Sequence, residues 1–152
     1  MSLSAWLKNG WLIEHRPSRL ETSHLLDLVD RDLADCRNAA LSKDWRFNIA
    51  YNAALQCAKA ALAAAGYSAA KGGHHYRVIL SLEHTAGLDK KAVVALDAFR
   101  KKRNTSEYNH AGAVTDKELD ELTALAENLR KLVERWIRSE HPELVKDPGR
   151  KG

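Results

Sequence analysis

The densest group of chemically useful side chains lies in a basic segment that runs from Arg100 to His110. Arg103 carries a planar guanidinium whose five N–H donors suit a phosphate group. Separated from it by six residues, His110 has a side chain that gains or loses a proton near neutral pH. Asn104 follows the arginine directly and can orient a neighbouring group. Together these side chains can bind and cleave a phosphodiester.

The same basic cluster also has a structural explanation. The four cations of residues 100 to 103 stand at the C-terminal end of a predicted helix, where they complement the helix dipole without any ligand. An acidic residue of the first long helix, such as Asp30 or Asp32, can also pair with Arg103 and close a helix bundle. The sequence therefore leaves open a ribonuclease, a binding site without cleavage, and a structural ion pair.

The composition predicts a helical protein of one domain. Of 152 residues, 45% are hydrophobic and only three are prolines, while alanine and leucine recur throughout. We expect one domain over residues 1–152, because this length is ordinary for a single hydrophobic core. The net charge of +4 is too modest to indicate nucleic-acid binding by itself. No stretch approaches about 18 consecutive apolar residues, so we expect a cytoplasmic protein that does not enter membranes.

The placement of cysteine and histidine argues against a metal site. Cys36 and Cys57 fall on apolar helix faces without Cys-x-x-Cys spacing, so we expect buried thiols. The adjacent His74 and His75 cannot point in one direction from a helix and are poor joint ligands, although one of them can reach a binding site. Neither a glycine-rich phosphate loop nor a dinucleotide fingerprint occurs, and we expect no cofactor and no metal.

The periodic apolar residues predict an all-α fold, an up-and-down bundle of four to five main helices. Ser18 can cap the first long helix, and Ser42 or Asp44 can begin the second. This second helix carries alanine nearly all round, so we expect it at the centre of the bundle. A short helix is predicted around residues 76 to 84, and the next begins at residues 87 to 89.

The two ends of the chain are expected to be accessory. Residues 1–17 include two tryptophans and are predicted as a docking arm that covers an edge of the core. Thr115 and Glu118 form a capping box that opens the last long helix, and Pro142 ends it. We expect residues 143–152 to fray as a tail.

Arg103 is expected to project from a fixed position. Ala92, Leu96 and Phe99 precede it on one helix face, at successive spacings of four, three and four residues. Anchoring these apolar residues in the core directs Arg103 from the core edge rather than from a loose loop.

Several segments, taken in order, resemble the HEPN superfamily, whose name stands for higher eukaryotes and prokaryotes nucleotide-binding. The resemblance covers roughly residues 20 to 140 and is carried by residues 27–32, 45–55, 66–67, 73–75 and 100–108. It implies a helical bundle that usually dimerises and often brings two copies of an Arg-x(4 to 6)-His motif to a shared cleft. In active members of the family that motif cleaves RNA without metal.

The motif of the family can be placed on this chain. Arg103 and His110 match its six-residue spacing, and Asn104 matches the polar residue that commonly follows the arginine. The resemblance therefore implies Arg103, Asn104 and His110 as catalytic residues. At the shorter spacing, where many active members place histidine, this chain has Tyr108.

Further side chains are expected to bind RNA or a nucleotide beside this motif. We predict that Arg103 and Tyr108 share one cleft and approach the second helix. The side chains expected to contribute to binding are Tyr51, Asn52, His74, His75 and Tyr108.

Two classes of function fit these residues. The first is a metal-independent endoribonuclease of a toxin–antitoxin or defence system, in which His110 deprotonates a ribose 2′-hydroxyl and Arg103 stabilises charge on the phosphate. The second is a protein without catalysis, either a binding partner of a small nucleotidyltransferase or antitoxin, or a structural interaction module. We also expect a homodimer, because the alanine-rich helix and the tryptophans suggest more apolar surface than one small bundle hides.

Overall fold

The computed structural model describes residues 2–71, 74–104 and 112–145. Within these ranges the chain forms six α-helices and one small antiparallel sheet, which confirms the all-α class. The helices are α1 (Leu3–Lys8), α2 (Arg19–Cys36), α3 (Lys43–Ala64), α4 (His74–Ser81), α5 (Lys90–Arg103) and α6 (Asp116–Glu140). The strands are β1 (Leu12–Glu14) and β2 (Tyr67–Ala69), and a 3₁₀ helix spans Pro142–Leu144.

Helix α3 is the centre of the bundle, as its alanine content predicted. It packs against both α2 and α6, the other two long helices. Its small side chains Ala50, Ala54, Ala58 and Ala61 are all fully buried. Because such side chains add little bulk, the neighbouring helices approach α3 closely along its length.

Side-chain caps begin the helices at the predicted residues. Ser18 Oγ accepts a hydrogen bond from the Glu21 N–H at 3.1 Å, which starts α2. Ser42, rather than the alternative Asp44, caps α3 and accepts from the Trp45 N–H at 3.2 Å. These caps satisfy amide donors that have no acceptor within the first turn of a helix.

Helix α6 starts with the predicted capping box. Thr115 Oγ1 accepts from the Glu118 N–H at 3.1 Å, and Glu118 Oε1 accepts from the Thr115 N–H at 3.0 Å. We expect Thr115→Ala to lower the free energy of unfolding by about 1 kcal/mol, because the Glu118 N–H loses its acceptor. Urea denaturation measures this change, and Thr115→Ser, which keeps the hydroxyl, should remain close to the wild type. Equal stability of the alanine variant would contradict a stabilising role for the box.

The N-terminal arm contains a strand that the sequence pattern did not predict. β1 pairs with β2, with Leu12 opposite Ala69 and Glu14 opposite Tyr67. Three residues are too few to establish the alternation that marks a strand. Trp6 and Leu12 of this arm are buried and belong to the hydrophobic core.

Two predicted boundaries differ from the structure. The short helix α4 occupies His74–Ser81 and is followed by turns, so it ends before the predicted residue 84. The prediction of a frayed tail is wrong for residues 143–145: Leu144 is buried, and Arg19 Nε donates to the Glu143 carbonyl at 3.3 Å. Pro142 ends α6 as predicted, but the 3₁₀ helix then returns the chain to α2. Residues 146–152 of the predicted tail lie outside the described residues.

The apolar surface that suggested a homodimer is largely buried within one chain. Trp6 and the alanine side chains at the centre of α3 are already covered. This argument for dimerisation was therefore wrong, and the homodimer stays a prediction that rests on the family resemblance. The large hydrophobic side chains exposed in the described ranges are Ile13, Leu20, Trp45, Tyr76 and Val94.

Both cysteines are buried and unbridged, as predicted. Burial raises the pKa of the Cys57 thiol to about 12, and it also raises the pKa of Cys36. Thiols that remain protonated at neutral pH are poor nucleophiles and poor metal ligands. None of the helices in the described part of the chain combines the length and the apolar character needed to cross a membrane.

Candidate functional site

Helix α5 is anchored on the central helix through aromatic packing. Leu96 is fully buried, and Phe99 meets Phe47 of α3 edge to face, with ring centroids 5.8 Å apart and ring planes at 72°. The anchoring predicted from the apolar face of α5 is confirmed at Leu96 and Phe99. Because Arg103 follows Phe99 by one helical turn, this packing fixes the base of its side chain.

Two side chains of α3 hold the guanidinium of Arg103. Its Nε donates a hydrogen bond to Asn48 Oδ1 at 2.7 Å. The guanidinium carbon also lies 5.1 Å from the centroid of the Tyr51 ring, within the range of a cation–π interaction. The hydrogen bond uses Nε, and the guanidinium carbon lies over the Tyr51 ring. Among the described residues, the two terminal nitrogens remain as donors suited to a ligand.

Arg103 differs in charge balance from the other three cations at the end of α5. Each of those three forms an ion pair with an acidic side chain, whereas none of the described carboxylates pairs with Arg103. The ion pairs are Arg100–Asp97 at 2.7 Å, Lys101–Asp97 at 3.4 Å and Lys102–Glu118 at 2.9 Å. Arg103 is thus the one cation of this cluster that forms no ion pair with a carboxylate among the described residues.

The proposed ion pair between Arg103 and the first long helix does not form. Asp30 instead pairs with Arg130 Nε of α6 at 3.0 Å. Asp32 is buried and accepts a hydrogen bond from Asn52 Nδ2 at 2.8 Å. The hypothesis that Arg103 pairs with Asp30 or Asp32 was therefore wrong. Asp30 binds Arg130 of α6, and Asp32 binds Asn52 of α3 and the neighbouring Arg31.

The segment that carries Tyr108 and His110, residues 105–111, lies outside the described residues. The described residues on either side of it are both attached to the first two turns of α3. Arg103 is bound to Asn48, as above, and the Gly112 N–H donates to Asp44 Oδ2 at 3.0 Å. The roles of Tyr108 and His110 stay predictions.

A comparison with protein families matches the HEPN domain to residues 25–136. The chain belongs to the HEPN family. This match covers well over half of the sequence and confirms the resemblance drawn from the separate segments. Membership indicates a function related to nucleotides or RNA. Comparison with curated proteins and with solved structures gives no significant match.

Tyr51 occupies a different position in this HEPN domain from the one predicted. Its ring is only 1% exposed, so its predicted direct contact with a ligand is wrong. Burial raises the pKa of its hydroxyl to about 12, although Arg103 and Arg100 partly oppose the shift. The hydroxyl has no hydrogen-bond partner among the described residues. Tyr51 therefore stays protonated near neutral pH and serves as a support beneath Arg103.

The other predicted binding side chains, and Asn104, which was predicted as catalytic, are dispersed. Asn52 is directed to Asp32 of α2 rather than to Arg103. His75 is half-buried in the first turn of α4, and the side chain of His74 lies outside the described residues. Asn104 is exposed, and its backbone N–H caps the end of α5. Of these residues, Asn104 is the one placed directly beside Arg103.

Two residues that position this candidate site were not predicted to belong to it from the sequence. Asn48 accepts the hydrogen bond from Arg103, and Asp44, one turn earlier, also accepts from the Val114 N–H at 3.2 Å. Their signal was a pair of polar residues four apart at the start of a helix that is otherwise rich in alanine. Among the described residues, no group of three or more His, Cys, Asp or Glu side chains is placed to hold a metal ion.

Proposed function

We propose that this HEPN protein binds RNA at Arg103 and cleaves it without a metal ion. The observation that supports the proposal is the arrangement of Arg103, which is fixed by Asn48 and Tyr51 but has no acidic partner among the described residues. A donor group that is already in place needs little reorganisation when a phosphate arrives. The neighbouring cations are engaged by acids, so the interaction with phosphate is concentrated at one side chain.

In the proposed reaction His110 accepts the proton of a ribose 2′-hydroxyl. The 2′-oxyanion attacks the adjacent phosphorus, and the bond from phosphorus to the 5′-oxygen of the next nucleotide breaks. Protonated His110 returns the proton to that leaving oxygen, which yields a 2′,3′-cyclic phosphate and a 5′-hydroxyl. Arg103 stabilises the negative charge that accumulates on the phosphate oxygens, and Asn104 orients the reacting groups.

The alternative is a binding protein that leaves the RNA or nucleotide intact. The sequence observation that favours it is Tyr108, which stands at the shorter motif spacing where a histidine would serve as base. In this alternative Arg103 binds the phosphate and Tyr108 stacks on a base. Such a protein would act as the partner of a nucleotidyltransferase or of an antitoxin.

Replacing Arg103 by alanine tests RNA binding, which the ribonuclease proposal and the binding-protein alternative both require. We expect Arg103→Ala to weaken the binding of single-stranded RNA by roughly 10- to 100-fold, because a hydrogen bond to a charged group is worth about 1.5–3 kcal/mol. Fluorescence anisotropy of a labelled oligonucleotide in EDTA, at fixed salt, measures the affinity.

Lys101→Ala is the matched control for this experiment. It removes a positive charge from the same helical turn, but Lys101 is already paired with Asp97, and its loss should change the affinity less than about threefold. Equal effects of the two substitutions would show that only general charge matters. An Arg103→Ala protein that binds like the wild type, or a wild type that does not bind RNA, would contradict the proposal.

A further inference from the structure

Trp45 is unusually exposed for its place in the fold. It lies in the first turn of α3, the most buried helix of the bundle, yet 55% of its surface is open to solvent. Phe47, two residues later, is completely buried. Among the described residues the indole has no aromatic ring and no cation stacked against it. An exposed indole of this kind has an open π-face on which a planar group can stack.

Trp45 is a neighbour on the α3 surface of Asn48, the residue that binds Arg103. Asn48 follows Trp45 by three positions, which corresponds to about 4.5 Å along the axis and to neighbouring positions on the helix surface. Asn48 is the acceptor for Arg103 Nε. Asp44, which directly precedes Trp45, binds the Gly112 N–H. Trp45 therefore lies within one helical turn of both α3 residues, Asp44 and Asn48, to which the two ends of the α5 to α6 connection are attached.

We propose that Trp45 is a base-binding residue of this site, on which one unpaired base stacks while Arg103 holds an adjacent phosphate. This inference rests on the proposed function. Stacking on an aromatic ring tolerates any base, because each base presents a π-face. Arg103 has no carboxylate partner among the described residues, and Trp45 is exposed one helical turn from its acceptor Asn48. The two side chains supply the two interactions by which proteins bind single strands, attraction to the backbone and stacking of bases.

The surroundings of Trp45 favour a nucleic-acid base over a second protein chain. Ser42 and Lys43 in the same turn are exposed, and Asp44 and Asn48 are half-buried polar residues. A stable protein interface needs a broad surface, about 800 Å² on each partner, with an apolar centre. The apolar residues nearest to Trp45 along the chain at helical spacing, Leu41 and Ile49, are half-buried, so the indole offers a flat face of the size of a base instead of part of a broad apolar surface.

The test compares Trp45→Ala with the wild type for binding to labelled single-stranded octauridylate. We expect the dissociation constant to rise roughly 5- to 100-fold, the effect of losing one stacked base. Trp45→Phe, which keeps an aromatic face, should recover part of the loss. Ile13→Ala is the matched control, since Ile13 is 54% exposed on β1, and it should bind like the wild type.

Salt dependence separates stacking from charge. Trp45→Ala should leave the slope of log affinity against log salt unchanged, whereas Arg103→Ala should reduce its magnitude by about 0.7, the contribution of one phosphate contact on a single strand. The urea midpoint of Trp45→Ala should equal that of the wild type, because an exposed side chain contributes little to folding. A lowered midpoint that accounts for the lost binding would overturn the inference.

The outcomes distinguish this inference from the proposed function. If Arg103→Ala loses affinity and Trp45→Ala does not, Trp45 has no base to bind and the proposed function stands. If the wild type does not bind octauridylate or mixed RNA, the proposed function fails and this inference fails with it. If Trp45→Ala converts a dimer into a monomer in sedimentation, the indole covers a second copy of the chain, and the inference is overturned.

Discussion

Replacing His110 by alanine is expected to lower the rate of RNA cleavage by about 10²- to 10⁴-fold, the usual contribution of a positioned general base. RNA affinity should stay within about threefold of the wild type, because Arg103 still binds the phosphate. Single-turnover cleavage of mixed RNA in the presence of EDTA measures the rate, and anisotropy measures the affinity. The chelator also tests the proposed independence from metal.

Two further variants show which side chains contribute to RNA binding and which to cleavage. Arg103→Ala should impair both binding and cleavage, since the same guanidinium meets the ground state and the transition state. Tyr108→Phe should retain measurable cleavage, because a phenol with an unperturbed pKa of about 10 is a poor base near neutral pH. A His110→Ala protein that cleaves at the wild-type rate would remove His110 from the mechanism. A wild type that binds RNA tightly without cleaving it would establish the binding alternative.

Replacing Phe47 by alanine is expected to lower the free energy of unfolding by about 3–5 kcal/mol. Phe47 is completely buried, and its ring meets Phe99 at a centroid distance of 5.8 Å. Its removal forfeits burial and leaves a cavity between α3 and α5. That loss is a large part of the roughly 5–15 kcal/mol that stabilises a typical domain. Urea denaturation with a fitted m-value measures it.

Matched substitutions show whether the stability lost in Phe47→Ala comes from packing. Phe47→Leu keeps most of the apolar volume and should cost clearly less. Val94→Ala changes a side chain of α5 that is 68% exposed and should stay within about 0.5 kcal/mol of the wild type. If Phe47→Ala costs less than about 1 kcal/mol, the aromatic contact is not what anchors α5, and another cause must be found for the fixed position of Arg103.

The helices and their starting points were determined by the sequence itself. Ser18 and Thr115 cap helices as predicted, Ser42 is one of the two residues predicted to start α3, and Asp89 caps α5 at the end of the predicted starting range 87–89. A cap joins groups two or three residues apart, so short-range order along the chain is enough to predict it. The burial of α3 was equally predictable, because a helix with alanine on nearly every face has little reason to face water.

The details of the site were decided by the tertiary structure. Sequence spacing singled out Arg103 and gave the apolar face that anchors it, but its acceptor Asn48 lies 55 residues away in the chain. The attachment of Gly112 to Asp44 and the burial of Tyr51 likewise depend on how α5 and the following segment pack on α3. Periodicity shows which side chains share a face of one helix, but the rotation and depth at which two helices meet follow from the packing of the whole core.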